Sequence, residues 1–361
     1  MRTLTLLWLV LFVSSLSATA SAQVGEKIVV ITDKGIVPRG TIRRVENVNG
    51  DWFWVRYSSG ESGPVNAWIN RSEVIPFSQA LDFFNEELKR NPTAKAYTIR
   101  GTIWVHKREY DKAIADYTEA IRLDPKNAKL HYMRGSARED RSEYDQAISD
   151  FTEAIRLDPK TEHAYYGRGW DWLIKKEYDK AISDLNVAIR LDPKRKSTYF
   201  GRGRAWKAKG EYDKAISDFN EAIRLDPTTA APWLNRGNAW KAKKEYDKAM
   251  SDYNEAIRLE PMYDTPLNDR AWLAATCPDA KYRDGKKAVD DATKACDLIH
   301  WKDGANVGTL AAAYAEAGDF RNAVKWAEKA IELAPEKSKG DFQSRLDLYK
   351  AHKPSRQEVK K

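Results

Sequence analysis

Apolar residues along most of the chain recur at the spacing of an α-helix. From Ala113 onwards, a tyrosine four residues later and an alanine three further on share one helix face, which Ile121 widens. A similar stripe, with an aromatic residue or leucine in the middle, returns four more times. Each stripe stands before the phrase IRLDP or IRLEP, ending at Pro125, Pro159, Pro193, Pro227 and Pro261, an interval of 34 residues. One helix pair cannot bury such a stripe alone, so the pattern predicts stacked helical repeats with a continuous core.

Small residues mark fixed positions within these repeats. With each proline taken as position 32, alanine stands at positions 20 and 27 and tyrosine at position 17. Position 8 is Gly101, Gly135, Gly169, Gly203 and Gly237. The pattern closely resembles the tetratricopeptide-repeat family, in which small residues sit where the two antiparallel helices of a repeat approach each other. The resemblance covers residues 94 to 337 and implies a mainly α fold, a right-handed α-solenoid that binds proteins or peptides.

The repeat pattern also divides the chain. Residues 78–93 match only the second half of a repeat and predict a lone leading helix. Five regular repeats follow over 94–263, and two variant repeats, the first with an inserted loop, over 264–337. Residues 338–352 predict an amphipathic capping helix, and 353–361 a basic disordered tail.

Residues 23–77 lose the helical period and become rich in β-branched and aromatic residues. They predict short strands over 27–32, 40–48, 52–57 and 67–75, and the Asn49-Gly50 pair predicts a hairpin turn. Four or five short strands in so short a segment favour a small barrel. The phrases GDWFWVRY and AWINRSEVI resemble bacterial SH3-like domains.

The tryptophans of this segment leave two interpretations open. Trp52 and Trp54 alternate with Phe53, so the two faces of their strand differ. Either one face is core and the other is partly covered by the following helix, or Trp52, Trp54 and Trp68 form an aromatic face. The SH3-like resemblance permits such a face to bind an extended peptide or a cell-wall glycopeptide.

Residues 1–22 have the features of a cleaved signal peptide. Arg2 supplies a positive charge, an apolar run extends over 4–16, and Ala20-Ser21-Ala22 is a small-residue cleavage pattern. The alternative is an uncleaved anchor, but the apolar run is shorter than the ~20 residues that span a bilayer. No later segment is long and apolar enough to do so. We therefore expect an exported protein of the periplasm or cell envelope, with no membrane span after cleavage.

Charge and candidate chemistry narrow the function. The net charge is +8, but lysine and arginine alternate with acidic residues inside the helices, as on a solvated face, so nucleic acid is not the expected partner. The five histidines form no metal-ligand spacing, and no glycine loop for phosphate is present outside a repeat helix. We expect no catalytic residue, no metal and no cofactor, and hence no enzyme.

Charged residues also follow the repeat. Position 7 is Arg100, Arg134, Arg168, Arg202, Arg236 and Arg270, and position 23 is Asp116, Asp150, Asp184, Asp218 and Asp252. Because a catalytic acid is needed once and these recur, we interpret them as ion pairs between helices. The alternative is a strip of arginines that binds anions.

Two cysteines lie in the first variant repeat, Cys277 at the inserted loop and Cys296 near the end of the second helix. An exported protein meets an oxidising compartment, so we expect a disulfide between them. Two free thiols are the alternative. A redox-active pair has no CxxC motif to support it.

The family resemblance implies a concave surface lined by positions 2, 5, 9 and 12 of the first helices. Unlike the repeating positions, these vary between repeats, as a binding surface or neutral drift would produce. The candidate groove residues are Tyr132, Tyr166, Trp170, Phe200, Arg204, Lys207, Leu234, Asn238 and Lys241.

The sequence favours an exported, non-enzymatic scaffold that binds a protein or peptide of unknown identity in this groove. The alternative is a cell-wall-associated protein in which the SH3-like domain binds peptidoglycan and the repeats recruit a partner enzyme.

Overall fold

The computed structural model describes residues 25–31, 42–58 and 64–357, which form six short strands followed by sixteen α-helices. The chain forms two compact units, residues 1–168 and 169–361. The predicted signal peptide lies outside the described residues.

The six strands form two antiparallel sheets of three strands each. They are β1 (Lys27–Val30), β2 (Ile42–Arg44), β3 (Asn47–Asn49), β4 (Trp52–Ser58), β5 (Pro64–Asn70) and β6 (Val74–Pro76). The strand orders are β2-β1-β6 and β3-β4-β5.

Two predicted strands are each divided in the structure. The segment 40–48 yields β2 and β3, which belong to different sheets, with the buried Val45 between them. The segment 67–75 is interrupted by a 3-10 turn at Arg71–Glu73. The Asn70 side chain accepts a hydrogen bond from the Ser72 amide (3.0 Å), and the Glu73 carboxylate accepts one from the Asn70 amide (3.3 Å). This reciprocal cap ends β5 and lets the chain change sheet.

The predicted hairpin turn is present between β3 and β4. Asn49 pairs with Trp52, so Gly50 and Asp51 are the two central residues. Gly50 has a φ of +59°, which glycine adopts at little cost at the first central position of a tight hairpin. The turn is thus one residue later than the Asn49-Gly50 pair suggested.

Apolar side chains from both sheets share one core. It contains Ile28, Val30, Val45, Phe53, Val55, Ile69 and Val74. The opposite face of the first sheet, with Val29, Ile42 and Ile75, packs against Phe84 and Leu88 of the first helix. The leading helix therefore joins the strands to the helical repeats within the first unit.

The helices alternate with short loops. They are α1 (Ala80–Arg90), α2 (Ala94–His106), α3 (Tyr110–Leu123), α4 (Ala128–Asp140), α5 (Tyr144–Leu157), α6 (Glu162–Ile174), α7 (Tyr178–Leu191), α8 (Lys196–Ala208), α9 (Tyr212–Leu225), α10 (Ala230–Ala242), α11 (Tyr246–Leu259), α12 (Asp264–Thr276), α13 (Gly285–Leu298), α14 (Gly304–Glu316), α15 (Phe320–Leu333) and α16 (Glu336–Lys350). This is the helix-pair arrangement of a tetratricopeptide solenoid.

The glycines at position 8 are required by the approach of the two helices. A Cβ built on Gly203 would lie 2.7 Å from the Phe219 ring, and one on Gly237 would lie 2.8 Å from the Tyr253 ring. Real Cβ atoms do not come so close, so each aromatic ring at position 24 occupies the space that a side chain at position 8 would need.

The C-terminal segment departs from the predicted disordered tail. Ser355 is buried, the Gln357 amide donates to the Thr276 carbonyl at 2.9 Å, and the Arg356 guanidinium lies 2.6 Å from the Glu316 carboxylate. Glu316 also pairs with Arg283 of the inserted loop, 3.0 Å away. Residues 353–357 are therefore packed because a partly buried carboxylate and the end of α12 offer them partners. Residues 358–361 lie outside the described residues.

The expected disulfide is wrong: Cys277 and Cys296 are both free and buried. Cys277 packs with Tyr253 and Leu273, whereas Cys296 packs in a different cluster with Ala292. Burial raises the pKa of both thiols, that of Cys296 to about 12. The alternative of two free thiols is the one that the structure contains.

Candidate peptide-binding surface

The first helices are held in place by the arginines of position 7. Arg202 on α8 donates through Nε and Nη2 to both carboxylate oxygens of Asp218 on α9 (2.9 and 2.6 Å), and through Nη1 to Asn186 on α7 (2.6 Å). Each such arginine thus connects both helices of its repeat to the preceding repeat. The ion-pair interpretation is confirmed for Arg100–Asp116, Arg134–Asp150, Arg202–Asp218 and Arg236–Asp252.

The inserted loop conceals one further pair from the sequence pattern. Arg270 donates to both oxygens of Asp291, which stands beyond the insertion and therefore outside the regular numbering. Its Nη1 donates to Asn254, as Arg236 does to Asn220. Arg168 and Asp184, the remaining predicted pair, belong to different compact units.

An aromatic platform stands on the first helices of the second unit. The Trp170 and Phe200 rings lie 6.5 Å apart between centroids, and the Arg204 guanidinium lies 5.3 Å from the first and 5.9 Å from the second. Cation–π attraction to two rings orients this exposed guanidinium. Its hydrogen-bonding edge has no carboxylate partner among the described residues, so it remains available to an anion.

A group of cations follows on the next helices. The Lys207 Nζ donates to the side-chain carbonyl of Asn235 at 2.6 Å, and the Lys241 Nζ lies 3.8 Å from the Asp269 carboxylate. We call Arg204, Lys207 and Lys241 the cationic cluster. Within the described part of the chain, Asp269 is the one carboxylate at ion-pair distance from any of them, so the cluster carries excess positive charge.

The environment of Lys207 is unfavourable for its own charge. Burial lowers the pKa of Lys207, and the nearby positive charges of Arg204 and Lys241 lower it further, against an opposing effect of Asp269. A group whose charged form is disfavoured in this way gains more than an exposed lysine when an anion arrives. The cluster therefore favours an anionic ligand.

Two predicted groove residues serve other purposes. Leu234 is 3% exposed and packs with Tyr253 in a core cluster, so its side chain is not available to a ligand. Asn238 donates to Asp269 at 2.9 Å and accepts from the Tyr253 hydroxyl at 2.7 Å. Leu234 is thus a packing residue of its repeat, whereas Asn235 and Asp269, both at position 6, reach the cationic cluster and were missed.

The other predicted site residues do not belong to the cationic cluster. Tyr132 and Tyr166 belong to the first unit, where the Tyr132 ring packs against Phe151 (6.0 Å) and His163 (5.8 Å). Among the tryptophans of the strands, Trp52 is 48% exposed. The backbones of Trp54 and Trp68 pair across β4 and β5, and their side chains lie outside the described part of the structure.

The described residues contain no group of three His, Cys, Asp or Glu side chains arranged to hold a metal ion. No helix in the described part of the chain has the length and apolar character to span a bilayer.

Family models match the helical part of the chain. A model described as a TPR repeat matches residues 105–140 and 203–244, and models described as a tetratricopeptide repeat match 132–196, 230–263 and 308–337. The chain therefore belongs to the tetratricopeptide-repeat proteins. None of these models covers the strands before residue 77.

Several solved structures are similar to parts of this chain, and the two with a TM-score above 0.5 share its fold. MamA is 26% identical over 46% of this chain and 92% of its own, with a TM-score of 0.44. The C-terminal part of a TPR repeat-containing protein from Cytophaga hutchinsonii is 21% identical, with coverages of 63% and 93% and a TM-score of 0.51. The APC/C assembly Cut9-Hcn1 is 17% identical, with coverages of 75% and 52% and a TM-score of 0.56. No curated protein matches the chain significantly.

Proposed function

We propose that this protein is a non-enzymatic scaffold whose first-helix surface binds an acidic segment of a partner protein at the cationic cluster. The observation that carries the proposal is the imbalance of charge there. Arg204, Lys207 and Lys241 face a single carboxylate, Asp269. A structural network would pair its charges, as the arginines of position 7 do, whereas this cluster leaves them for a ligand.

The aromatic platform beside the cluster supports a peptide as the ligand. Trp170 and Phe200 offer apolar area next to the Arg204 guanidinium, so a segment that alternates acidic and apolar side chains fits both features. Because Arg204 is exposed and Lys207 half-buried, we expect the binding to weaken as ionic strength rises.

Charge reversal at the cluster tests the proposal. The variant Arg204→Glu, Lys207→Glu, Lys241→Glu should lose capture of partners from an envelope extract. It should also bind a fluorescent acidic-aromatic peptide at least ten-fold more weakly by anisotropy. A matched control reverses Lys214, Lys248 and Arg258, which are exposed residues of the second helices, and should behave like the parent. Equal binding by the two variants would show that the cluster is not the site.

We further propose that the protein acts in the periplasm or cell envelope, on the strength of residues 1–22 of the sequence. N-terminal sequencing of the protein from an envelope fraction should begin near Gln23. Recovery of an intact N-terminus from the cytosolic fraction would contradict export.

A second candidate function rests on the half-exposed Trp52 of β4. The Trp52 side chain offers apolar area and an N–H group to a ligand, and on this basis we propose, as the second candidate, that the strands act as an SH3-like domain that binds peptidoglycan. Co-sedimentation with purified cell wall should then be lost on deletion of residues 23–77. Retention without that segment would exclude this role for the strands.

A further inference from the structure

A cavity lies between helices of the last repeats, and its lining contains none of the three residues of the cationic cluster. It has a volume of about 460 Å³ and is bounded by α12, the start of α14 and α16 of the second unit. A cavity of this size accommodates a small molecule rather than a protein surface. The residues that matter here are Asn268, Trp272, Lys302, Asp303, Asp341 and Arg345.

Arg345 is held in the wall by two aromatic rings. Its guanidinium lies 4.7 Å from the Trp272 ring centre and 5.3 Å from the Phe342 ring centre. No carboxylate lies within ion-pair distance of it anywhere in the described ranges. The rings fix the planar faces of the guanidinium, and its N–H edge remains able to hold a carboxylate through two hydrogen bonds.

Asn268 offers the cavity a hydrogen-bond acceptor, whereas Arg345 offers donors. Its side-chain oxygen is buried and accepts no hydrogen bond from any residue that the structure describes. A buried acceptor of this kind is uncommon in folded proteins, because most find a donor. A ligand that brings an ammonium or amide N–H into the cavity would satisfy it.

The charges around the cavity balance. Lys302 and Arg345 are positive, and Asp303 and Asp341 are negative. Asp303 also caps α14 by accepting from the Ala305 and Asn306 amides (2.7 and 3.0 Å), so its charge is fixed there. A phosphate would bring two negative charges next to two carboxylates. A ligand with one charge of each sign avoids that repulsion.

We propose that this cavity binds a small zwitterion with an apolar side chain, either a free α-amino acid such as leucine or a short peptide with both termini free. The carboxylate lies against Arg345 and the ammonium against Asn268. The apolar side chain contacts Leu333 and Pro335, which also line the cavity. Asn268 and Trp272 hold groove positions 5 and 9 of their repeat, so this site is a separate part of the groove surface, and none of Arg204, Lys207 and Lys241 lines it.

Calorimetric titration of the purified protein with leucine, Leu-Leu and three blocked analogues tests the ligand class. We expect saturable binding of leucine or Leu-Leu at one site. Leucinamide and N-acetyl-leucine, which each lack one charge, should bind at least ten-fold more weakly, and N-acetyl-leucinamide more weakly still. Tighter binding of leucine identifies a free amino acid, and tighter binding of Leu-Leu a peptide. Absence of heat with all five ligands, or equal affinity for leucine and leucinamide, would overturn the proposal.

Three variants test whether the ligand binds in this cavity. Arg345→Gln removes the anchor of the carboxylate, and Ala305→Phe fills the cavity from an exposed position while every polar group stays. Both should reduce affinity at least ten-fold, while Arg258→Gln, an exposed arginine of α11 outside the cavity, should leave it unchanged. Circular dichroism checks that each variant is folded. Unchanged affinity in Ala305→Phe refutes the assignment even if Arg345→Gln proves unstable.

Discussion

Replacement of Arg202 by methionine measures what the arginines of position 7 contribute. The change keeps the apolar length of the side chain and removes the guanidinium, so Asp218, which is 5% exposed, keeps its charge and loses both hydrogen bonds. Removal of one partner from a buried pair costs about 3–5 kcal/mol. Because the Arg202 side chain is still 21% exposed, we expect the lower end, about 3 kcal/mol.

The loss should depend on pH in a defined direction. Burial raises the pKa of Asp218, and the Arg202 guanidinium lowers it. Arg202→Met removes the lowering effect, so the pKa of Asp218 should rise further in the folded variant. The carboxyl of the unfolded chain titrates at its ordinary value, and that of the folded variant at a higher pH. The folded variant therefore binds the proton more tightly, and its stability deficit should shrink as pH falls through the raised pKa.

The assay is urea unfolding of the parent, Arg202→Met, Asp218→Leu and the double variant, with hydrogen exchange over 196–229 to locate the change. Replacement of both charges by apolar groups should restore stability to within about 1 kcal/mol of the parent, since no unpaired charge is left buried. A single variant within about 0.5 kcal/mol of the parent, the effect of an ordinary surface substitution, would refute the reasoning. So would equal losses in the single and double variants.

Three further predictions concern other parts of the fold. Gly203→Ala should destabilise the protein by about 1–3 kcal/mol, because the added Cβ meets the Phe219 ring. Gly340→Ala in α16, where a Cβ would have nothing within 4 Å, should stabilise the protein by about 0.5–1 kcal/mol. Thermal unfolding of the two variants measures both effects. Truncation after Lys353 removes the contacts of Arg356 with Glu316 and of Gln357 with Thr276, so amide exchange at the C-terminal ends of α14 and α12 should accelerate. Unchanged protection there would show that the tail does not stabilise these helix ends. A thiol reagent at pH 8 should label neither cysteine of the folded protein, because both are buried and burial raises the pKa of Cys296 to about 12. In denaturant the reagent should label both cysteines. A folded mass two hydrogens lower than that of the reduced chain would instead reveal a disulfide.

The parts of the fold that follow a period could be predicted from the sequence. The arginine and aspartate series at positions 7 and 23 identified most of the inter-helix pairs, because the same packing problem is solved in every repeat. The pair of Arg270 with Asp291 was hidden because the inserted loop shifts the numbering. Two predicted strands were too long because a local side-chain cap at Asn70 and a change of sheet at Val45 leave no trace in the alternation of residues.

The candidate site was predicted less completely. Arg204, Lys207 and Lys241 were identified by their departure from the period, but Leu234 was included because family positions do not report burial in a particular repeat. Asp269 was missed because its part in the cluster depends on how far the Lys241 side chain extends, which spacing alone does not give. The docking of residues 353–357 depends on contacts with Thr276 and Glu316, distant in sequence.

The contact between each arginine of position 7 and the preceding repeat recurs at the same position, with a threonine acceptor for Arg134 and an asparagine acceptor for Arg202 and Arg236. Arg202 reaches Asn186 with the same atoms that Arg236 uses to reach Asn220. Excision of residues 196–229 would therefore bring Arg236 to Asn186 with the original donor and acceptor. Removal or addition of a whole unit thus preserves the arginine contact across the joint, while contacts that do not recur, such as that between Gly201 and the Trp170 ring, would change.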